Sequence, residues 1–244
     1  MRKYQWYFLW LMEGLLIFLL LYYPSWPMLL LFGSMQFNLL IIRKAYLIND
    51  EWFNGADWLR RTVYFLPYLL VFLIFVPKAP VAIVNVWLCL LLSVLIGIIF
   101  LLPRLKELSP FFNKDAILFF PPVSFREKAI STYSLLGSAF LQELYFKGFM
   151  LAILFPIVGV WMANLIVAFF FVAEHIVHYQ VSQFRKTDFI AQFLLSLFAG
   201  GLYMISGSIW TAIIPHLVYN ATIALTYHVR YWTHRFEARR SKTV

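Results

Sequence analysis

Gln142, Glu143 and Lys147, then Glu174, His175 and His178, then His216, then Asn220 interrupt stretches of the chain that are otherwise apolar. Ionisable groups are costly in hydrocarbon, so residues of these types inside apolar runs mark a site. A buried carboxylate suits a general base, and an imidazole can take up or give a proton. Glu143 and Lys147 are four apart, which puts them on one helical face and allows an ion pair; the same pair could simply orient two helices. His175 closes a long apolar run beginning before Phe171, whereas His178, one turn on, reads as an interfacial cap. His216 and Asn220 also share a face. Both can donate to a developing negative oxygen, as an oxyanion hole does, or they can clamp two helices together.

Other chemistries fit these residues less well. The run from Glu174 to His178 lacks the His-Glu-x-x-His spacing of a zinc helix, although Glu174, His175, His178 and His216 include metal-ligating types. Ser206 and Ser208 lie in a Gly-rich turn without the G-x-S-x-G context of a hydrolase nucleophile. Gly200, Gly201, Gly207 and Ser208 permit close helix approach, and Pro215 frees a backbone carbonyl just before His216.

The elements that must hold these residues are membrane helices. Hydrophobic types make up 63% of the 244 residues and charged types 13%, against about 25% charged in a soluble domain. Mean hydropathy is +0.79. The 26 Phe, 14 Tyr and 9 Trp suit packed spans and interfacial belts. The single Cys89 excludes a disulfide framework and reads as a buried thiol. Apolar windows at 6–21, 27–42, 62–76, 81–101, 129–150, 157–176, 189–204 and 208–228 predict about eight spans, with those at 27–42, 62–76 and 189–204 short. The first is read as a retained helix, since no small-residue cleavage site follows it.

The net charge of +9 does not point to nucleic acid, because the basic residues flank spans and the aromatic ones lie inside them. Arg2 and Lys3, Arg43 to Arg61, Arg104 to Lys128, Arg185 and Lys186, and the tail from Arg230 to Lys242 all fall on one side when the spans are counted. That bias predicts cytoplasmic N- and C-termini. The Pro- and Phe-rich connection 103–128 reads as an interfacial segment, either a plain linker or a substrate entrance. No repeat divides the chain, so residues 1–244 read as one membrane domain.

Three motifs in order carry a resemblance. Gln142, Glu143 and Lys147 stand where a Glu-Glu-x-x-x-Arg motif would, Phe171 to His175 give Phe-x-x-x-His, and His216 to Asn220 give His-x-x-x-Asn, preceded by Gly-Ser-Ile-Trp at 207–210. Over about residues 125–225 the chain resembles the CPBP family, also called Abi or type II CAAX proteases, which are glutamate-dependent intramembrane endopeptidases. The resemblance implies an all-α polytopic membrane helical bundle with a CPBP/Rce1-like core. It implies hydrolysis of a membrane-embedded or membrane-docked peptide, with no cofactor or metal, in a bacterial or archaeal cell membrane. It gives water activation to position 142 with His175, the oxyanion to His216 and Asn220, and supporting places to Glu143 and Lys147.

Two departures qualify that reading. Gln142 replaces the catalytic glutamate, and an amide cannot take a proton from water as a carboxylate does. Lys147 keeps the charge of arginine without its bidentate fork. An inactivating substitution, a base role for Glu143, or a natural pseudoprotease acting as a membrane binding, regulatory or immunity protein would each account for Gln142. The expectation is a protease architecture, weakened or inactive in this chain. A transporter using the same residues as a relay finds no inverted repeat to support it.

Overall fold

Ser124 Oγ accepts a hydrogen bond from the Glu127 N–H at 3.0 Å, satisfying one of the free donors at a helix start. The helix it caps, α7 (Phe125–Glu143), carries the first polar cluster. The structure, a computed structural model, describes residues 3–45, 47–48, 52–74, 84–178 and 186–241. Before α7 come α1 (Lys3–Tyr22), α2 (Trp26–Ala45), α3 (Ala56–Ile74), α4 (Val86–Leu101) and the short α5 (Leu105–Leu108) and α6 (Lys114–Leu118). After it come a π-helical stretch (Leu144–Met150), α8 (Leu151–Val158), α9 (Val160–His178), α10 (Lys186–Ser206) and α11 (Trp210–Arg240). The described residues contain no strand.

Each expected apolar window falls on a helix, and α2, α3 and α10 run longer than the short windows that announced them. Residues 75–76 of the third window and 81–83 of the fourth lie outside the described residues, and the helix of the fourth begins at Val86. Among the described residues five helical segments are long and apolar enough to cross a membrane: Tyr4–Tyr22, Val86–Phe112, Phe125–Val158, Val160–Val177 and Thr187–Ser206. α3 opens with Asp57, Arg60 and Arg61, and α11 carries polar residues along its length, which keeps both below that threshold. The chain is an integral membrane protein built as a polytopic helical bundle. Tyr7, Trp10 and Leu21 on α1, and Trp87 and Leu91 on α4, are exposed, as expected where the surrounding solvent is lipid.

Glycine and proline set the joints. Gly159 (φ +80°) separates α8 from α9, and Gly207 (φ +68°) ends α10 while its N–H returns to the Tyr203 carbonyl at 2.9 Å. Pro215 has no N–H for the Thr211 carbonyl, and Ser93 Oγ on α4 donates to that carbonyl at 2.8 Å instead. The carbonyl that the sequence predicts to be freed is thus used to fasten α11 to α4. At Gly97 a Cβ would lie 2.7 Å from Val218 Cβ and 2.9 Å from the Pro215 carbonyl oxygen, so the same contact requires glycine.

α11 packs on α7 and α4, α9 on α10, and α2 on α3. In and around the π-helical stretch Tyr68, Tyr145, Phe146, Phe149 and Phe171 are fully buried. The 103–128 connection folds back on α11: Phe111 and Phe120 stack at 4.8 Å under the Arg230 guanidinium, and Lys114 pairs with Glu237 at 2.7 Å. Cys89 is buried and unbonded to sulfur.

Candidate active site

α7 ends at Glu143, and the backbone then continues through the π-helical stretch. A π turn pairs i with i+5, so residues four apart no longer stack as they do in an α-helix. The ion pair allowed by the spacing of Glu143 and Lys147 therefore does not form. Lys147 Nζ turns to α10 and donates to Ser196 Oγ at 2.6 Å, with both residues fully buried. Glu143 turns to α11, where its Oε1 accepts from His216 Nδ1 at 3.0 Å. Its Oε2 is buried without a hydrogen-bond partner among the described residues.

His175 is held by its own helix. Its Nδ1 lies 2.8 Å from the Phe171 carbonyl oxygen and 3.0 Å from Glu174 Oε2. Both neighbours only accept, so Nδ1 carries the proton and, in the neutral ring, Nε2 carries the lone pair. The same reasoning places a proton on His216 Nδ1 beside Glu143. Phe171 supports both imidazoles, with ring centroids 4.4 Å from His175 and 5.7 Å from His216, and the two imidazoles are 6.4 Å apart. Each histidine thus has a glutamate at its Nδ1.

Gln142 meets a carboxylate across the α7–α9 contact. Its Nε2 donates to Glu174 Oε2 at 3.0 Å and lies 3.0 Å from Tyr64 Oη. Glu174 is fully buried and also accepts from Tyr64 Oη at 2.7 Å and Tyr68 Oη at 2.9 Å, both on Oε1. Asn220 lies a turn beyond His216, and its Nδ2 donates to the Leu135 carbonyl at 2.8 Å.

A cavity of about 570 Å³ joins these groups. Gln142, His175, His216 and Asn220 line it, together with Arg60, Arg61 and Arg104. Glu143 and Glu174 stand behind the wall, bonded to the lining residues His216 and Gln142, and Lys147 is turned away toward Ser196; none of the three lines the cavity. From the 103–128 connection only Arg104 lines the cavity among the described residues; the phenylalanines of that segment do not. The His178 side chain lies outside the described residues. Tyr64, Tyr68 and Ser196 are polar partners to which sequence reasoning had given no role, and Glu174, noted there only as a site-marking residue of metal-ligating type, is a hydrogen-bond hub. The available signals were a carboxylate directly before His175 and two tyrosines one helical turn apart in α3. Among the described residues no group of three or more His, Cys, Asp and Glu side chains gathers as metal ligands would.

Residues 127–222 match the family described as Rce1-like, type II CAAX prenyl endopeptidase. That segment holds every residue from Gln142 to Asn220 discussed above, and the match agrees with the CPBP resemblance of the motifs. No curated protein and no solved structure gave a significant match to the chain.

Proposed function

We propose that this chain is an intramembrane endopeptidase that hydrolyses a membrane-associated peptide, with His175 rather than residue 142 as the base. The observation that carries the proposal is the pair of glutamate-backed histidines on one cavity, each with a carboxylate oxygen 3.0 Å from its Nδ1. The family match adds support from an independent direction, since it covers the same segment.

In the proposed reaction a water lies between His175 Nε2 and the Gln142 side chain. His175 Nε2 takes one of its protons as the oxygen attacks the scissile carbonyl carbon. The resulting oxyanion faces His216 and Asn220. With its Nδ1 proton held by Glu143, His216 can donate to that oxyanion from Nε2 only as an imidazolium, a charge the Glu143 carboxylate compensates. When the C–N bond breaks, the proton on His175 Nε2 passes to the leaving amine. Gln142 serves as a hydrogen-bonding wall, and Lys147 fastens the π-helical stretch to α10 through Ser196. The guanidinium groups of Arg60 and Arg61 on the cavity suit a substrate with an acidic or free C-terminal carboxylate end, whereas Arg104 already pairs with Glu107 and Asp188. By the charge bias of the loops, these arginines and both termini face the cytoplasm.

A second reading, a non-catalytic protein that binds a substrate-like helix, is favoured by the amide at 142. The two separate on the unaltered chain in liposomes with a prenylated, fluorogenic C-terminal peptide. The peptidase reading expects cleavage that is lost in both His175→Ala and His216→Ala and is unchanged by a chelator. Cleavage that persists in both variants would overturn it, and no cleavage at all would leave the binding protein.

A further inference from the structure

A carboxylate buried in a membrane span needs hydrogens pointed at it, and Glu174 has them: Tyr64 and Tyr68 on Oε1, Gln142 and His175 on Oε2. From this arrangement we infer that Glu174, paired across the α7–α9 contact with the amide of Gln142, is the working carboxylate of the site and the positioning residue for His175. The inference rests on the hydrolase reading above and deepens it.

The residue type at 142 follows from the one at 174. A second carboxylate at 142 would set two groups that only accept against each other at the 3.0 Å now spanned by the Gln142 amide. An amide on α7 facing an acid on α9 keeps a single negative charge in the contact and satisfies both partners. Gln142 is then the complement of Glu174 rather than a damaged position. Tyr64 ties the pair together, since its Oη meets both the Gln142 amide and the Glu174 carboxylate.

The geometry also fixes how Glu174 acts. Adjacent residues on a helix normally point apart, yet Glu174 Oε2 lies 3.0 Å from His175 Nδ1. Sharing that proton with the Phe171 carbonyl holds the tautomer in which Nε2 is the basic nitrogen. It also places a negative charge beside the imidazolium that forms when Nε2 takes the proton of water. Glu174 does not line the cavity, so it works through His175 and touches neither water nor substrate.

The test is a two-by-two cycle in the full-length protein: wild type, Glu174→Gln, Gln142→Glu and the double exchange, each read by peptide hydrolysis and by Tm. Glu174→Gln is expected to lower kcat about 100-fold or more with KM within about 2-fold, a split that a merely structural role would not produce. Gln142→Glu is expected to lower Tm by about 5 °C or more through carboxylate repulsion. The double exchange is expected to raise both readouts above either single variant. Tyr68→Phe removes one donor to Glu174 without altering the cavity lining, and it is expected to lower kcat about 5-fold at unchanged KM even if Glu174→Gln folds poorly. Near-normal kcat in a folded Glu174→Gln, or a double exchange no better than the poorer single variant, would overturn the inference. If the wild type cleaves nothing, the hydrolase reading fails on its own. The Tm cycle then decides the pairing: recovery in the double variant supports it, and simple addition of the two losses overturns it.

Discussion

At the scale of single residues, the two histidines differ in what they must do, and the difference lies in their neighbours. His175 has the Phe171 carbonyl and Glu174 at Nδ1, while His216 has Glu143, whose second oxygen has no hydrogen-bond partner among the described residues. Removing an oxyanion donor costs about 100- to 1,000-fold in kcat, so His216→Ala is expected to fall in that range with KM little changed. Asn220→Ala is expected to cost less, about 10-fold, because the Asn220 amide also spends a hydrogen on the Leu135 carbonyl. Steady-state kinetics on the anchored peptide would check both, and a change confined to KM would argue against the oxyanion role. His175, His216 and Asn220 were legible in the sequence because a polar side chain inside an apolar run is conspicuous. The role of Glu174 was not, although the residue itself was visible. Its meaning depends on Tyr64 and Tyr68, more than a hundred positions upstream, and on an amide one helix away.

At the scale of elements, helix positions were readable from apolar windows, whereas the π-helical stretch was not. Its sequence, from Leu144 to Met150, carries ordinary apolar side chains around Lys147 and one glycine, and nothing in its composition announces a change of pitch. That change sends Lys147 to Ser196 and leaves Glu143 to His216, overriding the pairing that α-helical spacing predicts. Close helix approach was anticipated at Gly200 and Gly201, but the two are not equivalent. A Cβ on Gly200 would lie 1.9 Å from Asn164 Oδ1 and 3.3 Å from Lys147 Cε, whereas one on Gly201 meets nothing within 4 Å. Gly200→Ala is therefore expected to destabilise by about 1–3 kcal/mol and to disturb the lysine behind the site. Gly201→Ala is expected to be neutral or slightly stabilising. Thermal unfolding of the two variants in the same detergent provides the comparison, and equal Tm values would contradict the packing described for α9 and α10.

At the scale of the whole molecule, the bundle builds a polar chamber inside an apolar shell and lines one part of it with Arg60, Arg61 and Arg104. The expected topology puts that part on the cytoplasmic side. Single cysteines introduced near Lys3 and Ser241 in a Cys89→Ser background are expected to react with an impermeant thiol reagent only in inside-out vesicles. Reaction in right-side-out vesicles would reverse the orientation and the direction of substrate entry. The central claim is that a water activated by His175 in this chamber cleaves a peptide bond, despite the amide at 142. The most direct measurement is mass spectrometry of a membrane-anchored peptide incubated with the unaltered protein in heavy-oxygen water. The expected result is two fragments, the new C-terminal carboxylate bearing one heavy oxygen, and intact peptide with His175→Ala. Intact peptide with the unaltered protein, or the same labelled fragments from His175→Ala, would contradict the claim.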